Sequence, residues 1–156
     1  MLRRSQAREV AFQVLYQDDL NPHNNPGEAD RFIERRLRAE DMAAFARELV
    51  AGVRRNRAEL DAALEGIAAN WSLKRMAATD RNVLRLGAYE LLHTDTPPRV
   101  AVDEAVELAK RFGSAQSSQF VNGILDKVMH HKERSGEGRE ERGEGRTNDE
   151  IEMTKE

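Results

Sequence analysis

The stretch "ATDRNVLRLGAYELLH", Ala78 to His93, decides the fold. Coiled as a helix, it places Leu84, Leu86, Ala88, Tyr89, Leu91 and Leu92 around almost its whole circumference. A helix that is apolar on nearly every side must be enclosed by others. The segment therefore predicts the central helix of an all-α globule. Thr79 or Asp80 is its expected cap, where a carboxylate meets the positive end of the helix dipole. Pro97-Pro98 ends the run on the other side.

The flanking segments share the helical period. Downstream, "RVAVDEAVELAKRFG" presents Ala101, Val102, Ala105, Leu108, Ala109 and Phe112 on one face, with Gly113 placed to cap its C-terminus. A last helix is predicted from near Ser117, burying Val121, Ile124, Leu125 and Val128. Upstream, "RRSQAREVAFQVLYQDDL" aligns Ala7, Val10, Ala11, Val14 and Leu15. The Asn- and Pro-rich stretch from Asn21 to Gly27 then breaks the chain. A helix from about Glu28 to Ala39, a third capped by Asp41 and running through Val53, and a fourth from Arg57 to Ala69 complete the N-terminal part. Trp71 falls in a short connection. β-Branched residues nowhere alternate with polar ones over a useful length, so no strand is expected. Six or seven helices without a repeating period predict a globule rather than a solenoid.

The chain has 156 residues, enough for one domain with a core of mostly small apolar side chains, since 39% are hydrophobic and only 5% aromatic. It has no cysteine, which excludes disulfides and thiolate metal sites. His23, His93 and the His130-His131 pair are poorly spaced for a metal, and the pair reads as a helix-end feature. No metal or cofactor is expected. No apolar run is long enough to span a membrane, and "MLRRSQAREVAFQ" lacks the apolar stretch of a secretory signal, so a cytoplasmic protein with no membrane partner is expected. The formal net charge of −3 is carried by the end of the chain. Residues 135–156 hold eight acidic and four basic side chains, leaving 21 basic and 20 acidic in residues 1–134. Glycine-rich and almost free of large apolar residues, this segment reads as a disordered acidic tail behind a helical domain of residues 1–134.

Catalytic patterns are weak. Asp103, Glu104 and Glu107 lie opposite Ala105 and Ala109, which reads as a solvated face rather than an acid–base pair. There is no glycine-rich phosphate loop and no nucleophile elbow. An enzyme is not expected. Two surfaces are more informative. Arg3, Arg4 and Arg8 open the first helix, and Arg8, Phe12 and Tyr16 follow at four-residue spacing beside its apolar face. Guanidinium groups neutralise phosphates and aromatic rings stack on unpaired bases, although a solvated terminus with edge-of-core aromatics would look the same. The second surface is "FGSAQSSQFVNGILDKV", Phe112 to Val128, where Gln116, Gln119, Phe120 and Gly123 share a flank. A mid-helix glycine costs about 1 kcal/mol relative to alanine. Its reason is either close helix packing or room beside Phe120 for a base or a backbone.

Five blocks in order resemble the NusB family of bacterial transcription antitermination factors. They are "AREVAFQVLY" (Ala7 to Tyr16), "AGV" (Ala51 to Val53), "NVLRLGAYEL" (Asn82 to Leu91), "VAVDEAVELAKRFG" (Val100 to Gly113) and "SSQFVNGILDKV" (Ser117 to Val128). The similarity spans roughly residues 3 to 132. It implies an N-terminal three-helix bundle packed on a four-helix part. It also implies binding to the boxA element of ribosomal RNA leader transcripts together with NusE, a small ribosomal subunit protein, in a complex of RNA polymerase with NusA and NusG. Support for processive transcription and maturation of ribosomal RNA follows, with no reaction catalysed. By position, the resemblance puts RNA contacts on Arg3, Arg4, Arg8, Tyr16, Gln116, Gln119 and Phe120, and a NusE contact on Asp80. The chain departs from some relatives where Ser5 and Gln6 interrupt the arginine run and where Gln116 and Gln119 replace charged residues. Two other readings remain. One is a helical adaptor that binds NusE or pairs as a homodimer without RNA. The other is the NusB-like domain of a ribosomal RNA methyltransferase, which expects a cofactor-binding α/β domain where this chain has only the polar tail.

Overall fold

A computed structural model describes residues 3–23, 25–68 and 70–135. Among these residues the chain forms seven α-helices and one 3-10 turn, with no strand. They are α1 (Arg3–Leu20), α2 (Pro26–Arg36), α3 (Glu40–Arg55), α4 (Arg57–Ile67), the 3-10 turn Leu73–Arg75, α5 (Ala78–His93), α6 (Pro98–Phe112) and α7 over residues 117–135. Of the expected acidic tail, residues 135–156, Ser135 is helical and belongs to α7, and the rest lies outside the described residues.

Helix α5 is central, as its all-round apolar pattern requires. Every residue from Asn82 to Leu91 is buried, and α1, α3, α4 and α6 all pack on it. The first three helices form one bundle, with α1 laid along α3. The remaining helices form the second, with α5 against α6. Close approach depends on two glycines. A Cβ at Gly52 of α3 would fall within the Tyr89 ring of α5, and one at Gly87 of α5 would meet Leu125 of α7 at 2.5 Å. Both glycines exist so that another side chain can occupy the space of their own.

The start signals are less legible than the helices. Asn25 caps α2, its side chain accepting from the Gly27 amide at 2.9 Å, and Pro26 takes the first-turn position that needs no amide donor. The caps of α3 and α5 are Ala39 and Ala77, so Asp41, Thr79 and Asp80 lie inside the first turns rather than at the boundary. Their charges still meet the dipole favourably. Ser117 does not cap α7 with its hydroxyl. It is buried, and its Oγ accepts from the Ser114 amide at 2.9 Å. Gly113 does cap α6, with an extended φ of −96°. Space explains it, because a Cβ there would collide with Ser117. Helix α7 runs on to residue 135, so His130 sits within it, 3.8 Å from Asp126, rather than at a helix end.

The seam between the two bundles holds a buried ion pair. Arg8 of α1 donates from Nε and Nη2 to the two carboxylate oxygens of Glu90 at 2.7 and 2.9 Å, and Thr96 donates to the same carboxylate at 2.9 Å. The guanidinium is 4% exposed and the carboxylate 2%. Glu104 approaches Arg8 at 3.5 Å and accepts from Ser5 at 2.7 Å, so of the three expected surface carboxylates on α6 only Asp103 and Glu107 face solvent.

Candidate nucleic-acid interface

The sequence-expected contact residues fall in three places: the start of α1, the cleft beside Tyr16, and the start of α7. At the first, α1 begins with Arg3 and Arg4, whose side chains are exposed. Arg3 is 65% exposed in a surface pair with Asp41, and the Arg4 guanidinium lies over the Phe45 ring at 4.8 Å. Exposed pairs of this kind contribute little to stability and leave both cations available to phosphate. Arg8 is different. Grouped with Arg3 and Arg4 as a phosphate contact by its place in the sequence, it is engaged with Glu90 in the interior. Arg8 shares the helix face of Arg4 but lies one turn further along, where Glu90 of α5 and Glu104 of α6 reach it.

Tyr16 and Asp80 lie further along, at a cleft beside α1. Tyr16 is half-buried, 6.1 Å from Phe12, which is itself 5.1 Å from Phe112. With Phe32, Arg36 and Thr79 these rings line a cleft of about 670 Å³. Thr79 adjoins Asp80, so the tyrosine expected to meet RNA shares its cleft with the neighbour of the residue expected to meet a protein. The Asp80 Oδ1 is buried and accepts no hydrogen bond among the described residues. Tyr16 lies about 18 Å along α1 from Arg4, at 1.5 Å per residue, so the two form an extended surface and not a pocket.

On α7, Gln116 and Gln119 are exposed and Phe120 is half-buried. The structure decides between the two reasons for Gly123. A Cβ there would meet nothing within 4 Å, so helix packing does not require the glycine. Sequence reasoning missed what stands beside it. Trp71, left in a connection, packs edge-to-face on Phe120 with ring centroids 5.6 Å apart at 71°, yet is 57% exposed. A lone tryptophan in a polar connection was the available signal.

The turn that presents Trp71 is tied down from behind. Arg81 donates to the carbonyls of Leu73 and Met76 at 2.9 and 3.0 Å and to Asp19 at 2.7 Å. Burial disfavours the Asp19 carboxylate. Hydrogen bonds from Asn82 and Arg81, with the charges of Arg81 and Arg85, outweigh that and hold its pKa below the usual carboxylate value.

Among the described residues no group of three or more histidines or carboxylates could hold a metal ion, and no helix is long and apolar enough to cross a membrane. A helical bundle that exposes arginines at the start of α1 and aromatic rings beside a cleft has the make-up of a binding module. The NusB family model matches residues 5–130, and the chain belongs to the NusB family. Transcription antitermination protein NusB of Anaeromyxobacter sp. (strain Fw109-5) is 47% identical over 133 residues, covering 81% of this chain and 90% of that protein. The solved structure of T. maritima NusB superposes with a TM-score of 0.72 at 35% identity, covering 83% of this chain and 92% of the other. A chain in the crystal structure of antitermination factors NusB and NusE in complex with dsRNA superposes with a TM-score of 0.73 at 32% identity, covering 84% and 99%. These relatives carry the name of a transcription antitermination factor and not of an enzyme.

Proposed function

We propose that this chain is a cytoplasmic transcription antitermination factor that binds boxA RNA of ribosomal RNA leader transcripts together with NusE. In that role it joins RNA polymerase, NusA and NusG and supports processive synthesis and maturation of ribosomal RNA. The observation that carries this reading is the likeness, over most of both chains, to a component of a NusB–NusE–dsRNA complex. The surface supports it chemically. Arg3 and Arg4 offer cations at the start of α1, and Gln116, Gln119 and Phe120 offer amides and a ring at the start of α7, a combination suited to phosphates and unstacked bases. Tyr16 adds a ring for RNA at the aromatic cleft, and Asp80, next to Thr79 of that cleft, meets NusE. Residues 1–134 act as the binding domain.

One observation favours a second reading, an adaptor that binds NusE or its own copy without RNA. The burial of Arg8 removes one of three expected phosphate contacts. A gel shift with boxA-like RNA, run with and without NusE across a salt series, separates the two. RNA binding that weakens steeply with salt supports the antitermination factor. NusE binding with no RNA shift at any salt contradicts it.

A further inference from the structure

We infer that Trp71 is an RNA-contacting residue, forming with Phe120 a two-ring platform on which an unpaired base stacks, with the open flank at Gly123 as the slot for it. The inference deepens the RNA-binding reading and rests on it.

Four observations converge. Trp71 is the most exposed large apolar side chain among the described residues, at 57%. Exposing an indole forfeits burial worth on the order of 2 kcal/mol, and nothing within the fold recovers it. The ring is nevertheless held in place: its backbone amide donates to the Ala68 carbonyl at 2.9 Å, its edge rests on Phe120, and the following turn is anchored by buried Leu73 and Met76. A rigid, presented aromatic is what stacking needs, because little ordering remains to be done on binding. Third, the floor beside the pair is empty. Gly123 lies one turn from Phe120 on the same face of α7, and the space where its side chain would stand contains no atom.

The fourth observation concerns charge. Lys74 and Arg75, in the turn after Trp71, and Lys127, one turn beyond Gly123 on the Phe120 face, are all exposed. Among the described residues none of the three makes an ion pair, whereas most other arginines of the domain do. Unpaired cations bordering aromatic faces, with the amides of Gln119 and Asn122 between, complement a single-stranded polynucleotide. A base stacks on the rings, its edge meets an amide, and its phosphates meet the lysines and the arginine. An apolar protein segment would use the rings but leave the cations without partners.

The chain has one tryptophan, so its own fluorescence reports on the platform. The full-length protein is titrated with a boxA-like single-stranded RNA oligonucleotide, with and without NusE, following tryptophan emission and, separately, RNA mobility. Because NusE can carry fluorophores of its own, emission in its presence is compared with that of Trp71→Phe. The expected result is quenching that saturates with RNA binding, a loss of RNA affinity of about tenfold or more in Trp71→Ala, and recovery of most of it in Trp71→Phe. RNA that binds without changing the emission, and binds Trp71→Ala as tightly as wild type, overturns this inference while leaving the antitermination reading intact. A Trp71→Ala variant that loses NusE but keeps RNA also overturns it, by assigning the surface to the protein partner. If wild type binds no RNA in either condition, both fail together.

Discussion

Two helix glycines, Gly52 and Gly123, each stand beside an aromatic ring and do opposite things. At Gly52 the missing side chain is replaced by the ring of Tyr89, and α3 closes on α5. At Gly123 no atom comes within 4 Å of the missing Cβ, and Phe120, one turn away on α7, carries the ring of Trp71 against it. Each glycine costs its helix about 1 kcal/mol relative to alanine. The interior one is explained by packing, whereas the surface one needs a reason from outside the fold. Openness alone is not that reason, because Gly66 of α4 is equally open. What distinguishes Gly123 is the aromatic pair and the unpaired cations around it.

The contrast can be broken first at its interior side. Removing the carboxylate in Glu90→Ala leaves the buried Arg8 guanidinium with only the 3.5 Å approach of Glu104, and should cost about 3 kcal/mol in urea unfolding. A loss under about 1 kcal/mol would show that water reaches Arg8. Gly52→Ala is the next most severe. Tyr89 must shift to admit a methyl group, at an expected cost of about 1–3 kcal/mol by the same measurement.

Asp19 sharpens the picture through pH. Its folded pKa lies below the unfolded value of about 3.9, so its charge stabilises the fold above that value, and the contribution is lost as pH falls through the folded pKa. Asp19→Asn should therefore be less stable than wild type at pH 7, with the gap narrowing as pH drops below about 4. A gap that is constant from pH 7 to pH 3 would remove the charge from the account. At the surface, replacing Arg3 and Arg4 together by alanine should leave unfolding almost unchanged. The same change should lower the slope of log affinity against log salt for single-stranded RNA by about 1.4, at roughly 0.7 per phosphate. An unaltered slope would place the phosphates elsewhere.

The sequence made the helices and the centrality of α5 legible because both follow from local periodicity. Residues whose role depends on a distant partner were harder. Arg3, Arg4 and Arg8 are the same residue type within six positions, yet Arg8 is claimed by a carboxylate 82 residues away. Glu104 looked like a solvated face until Ser5 and Arg8 were found against it. Caps misled because Asp41 and Asp80 are good capping types two and three residues past the real caps, whereas α7 begins at the expected Ser117. In the candidate site, Phe120 and Gly123 were visible as a helix flank. Trp71 was not, because only the tertiary fold brings its turn against α7. The match of five sequence blocks to the NusB family supplied the function that periodicity could not.

The central claim is that the flank at Gly123 is kept open for RNA. Gly123→Leu tests it most directly, because its Cβ meets no atom within 4 Å, its branched side chain occupies the flank, and leucine is a better helix former than glycine. Melting temperature and boxA RNA affinity in the presence of NusE are measured on the same sample. The account predicts a variant at least as stable as wild type, by up to about 1 kcal/mol, with clearly weakened RNA binding. A stable Gly123→Leu protein that binds the RNA as tightly as wild type would contradict it.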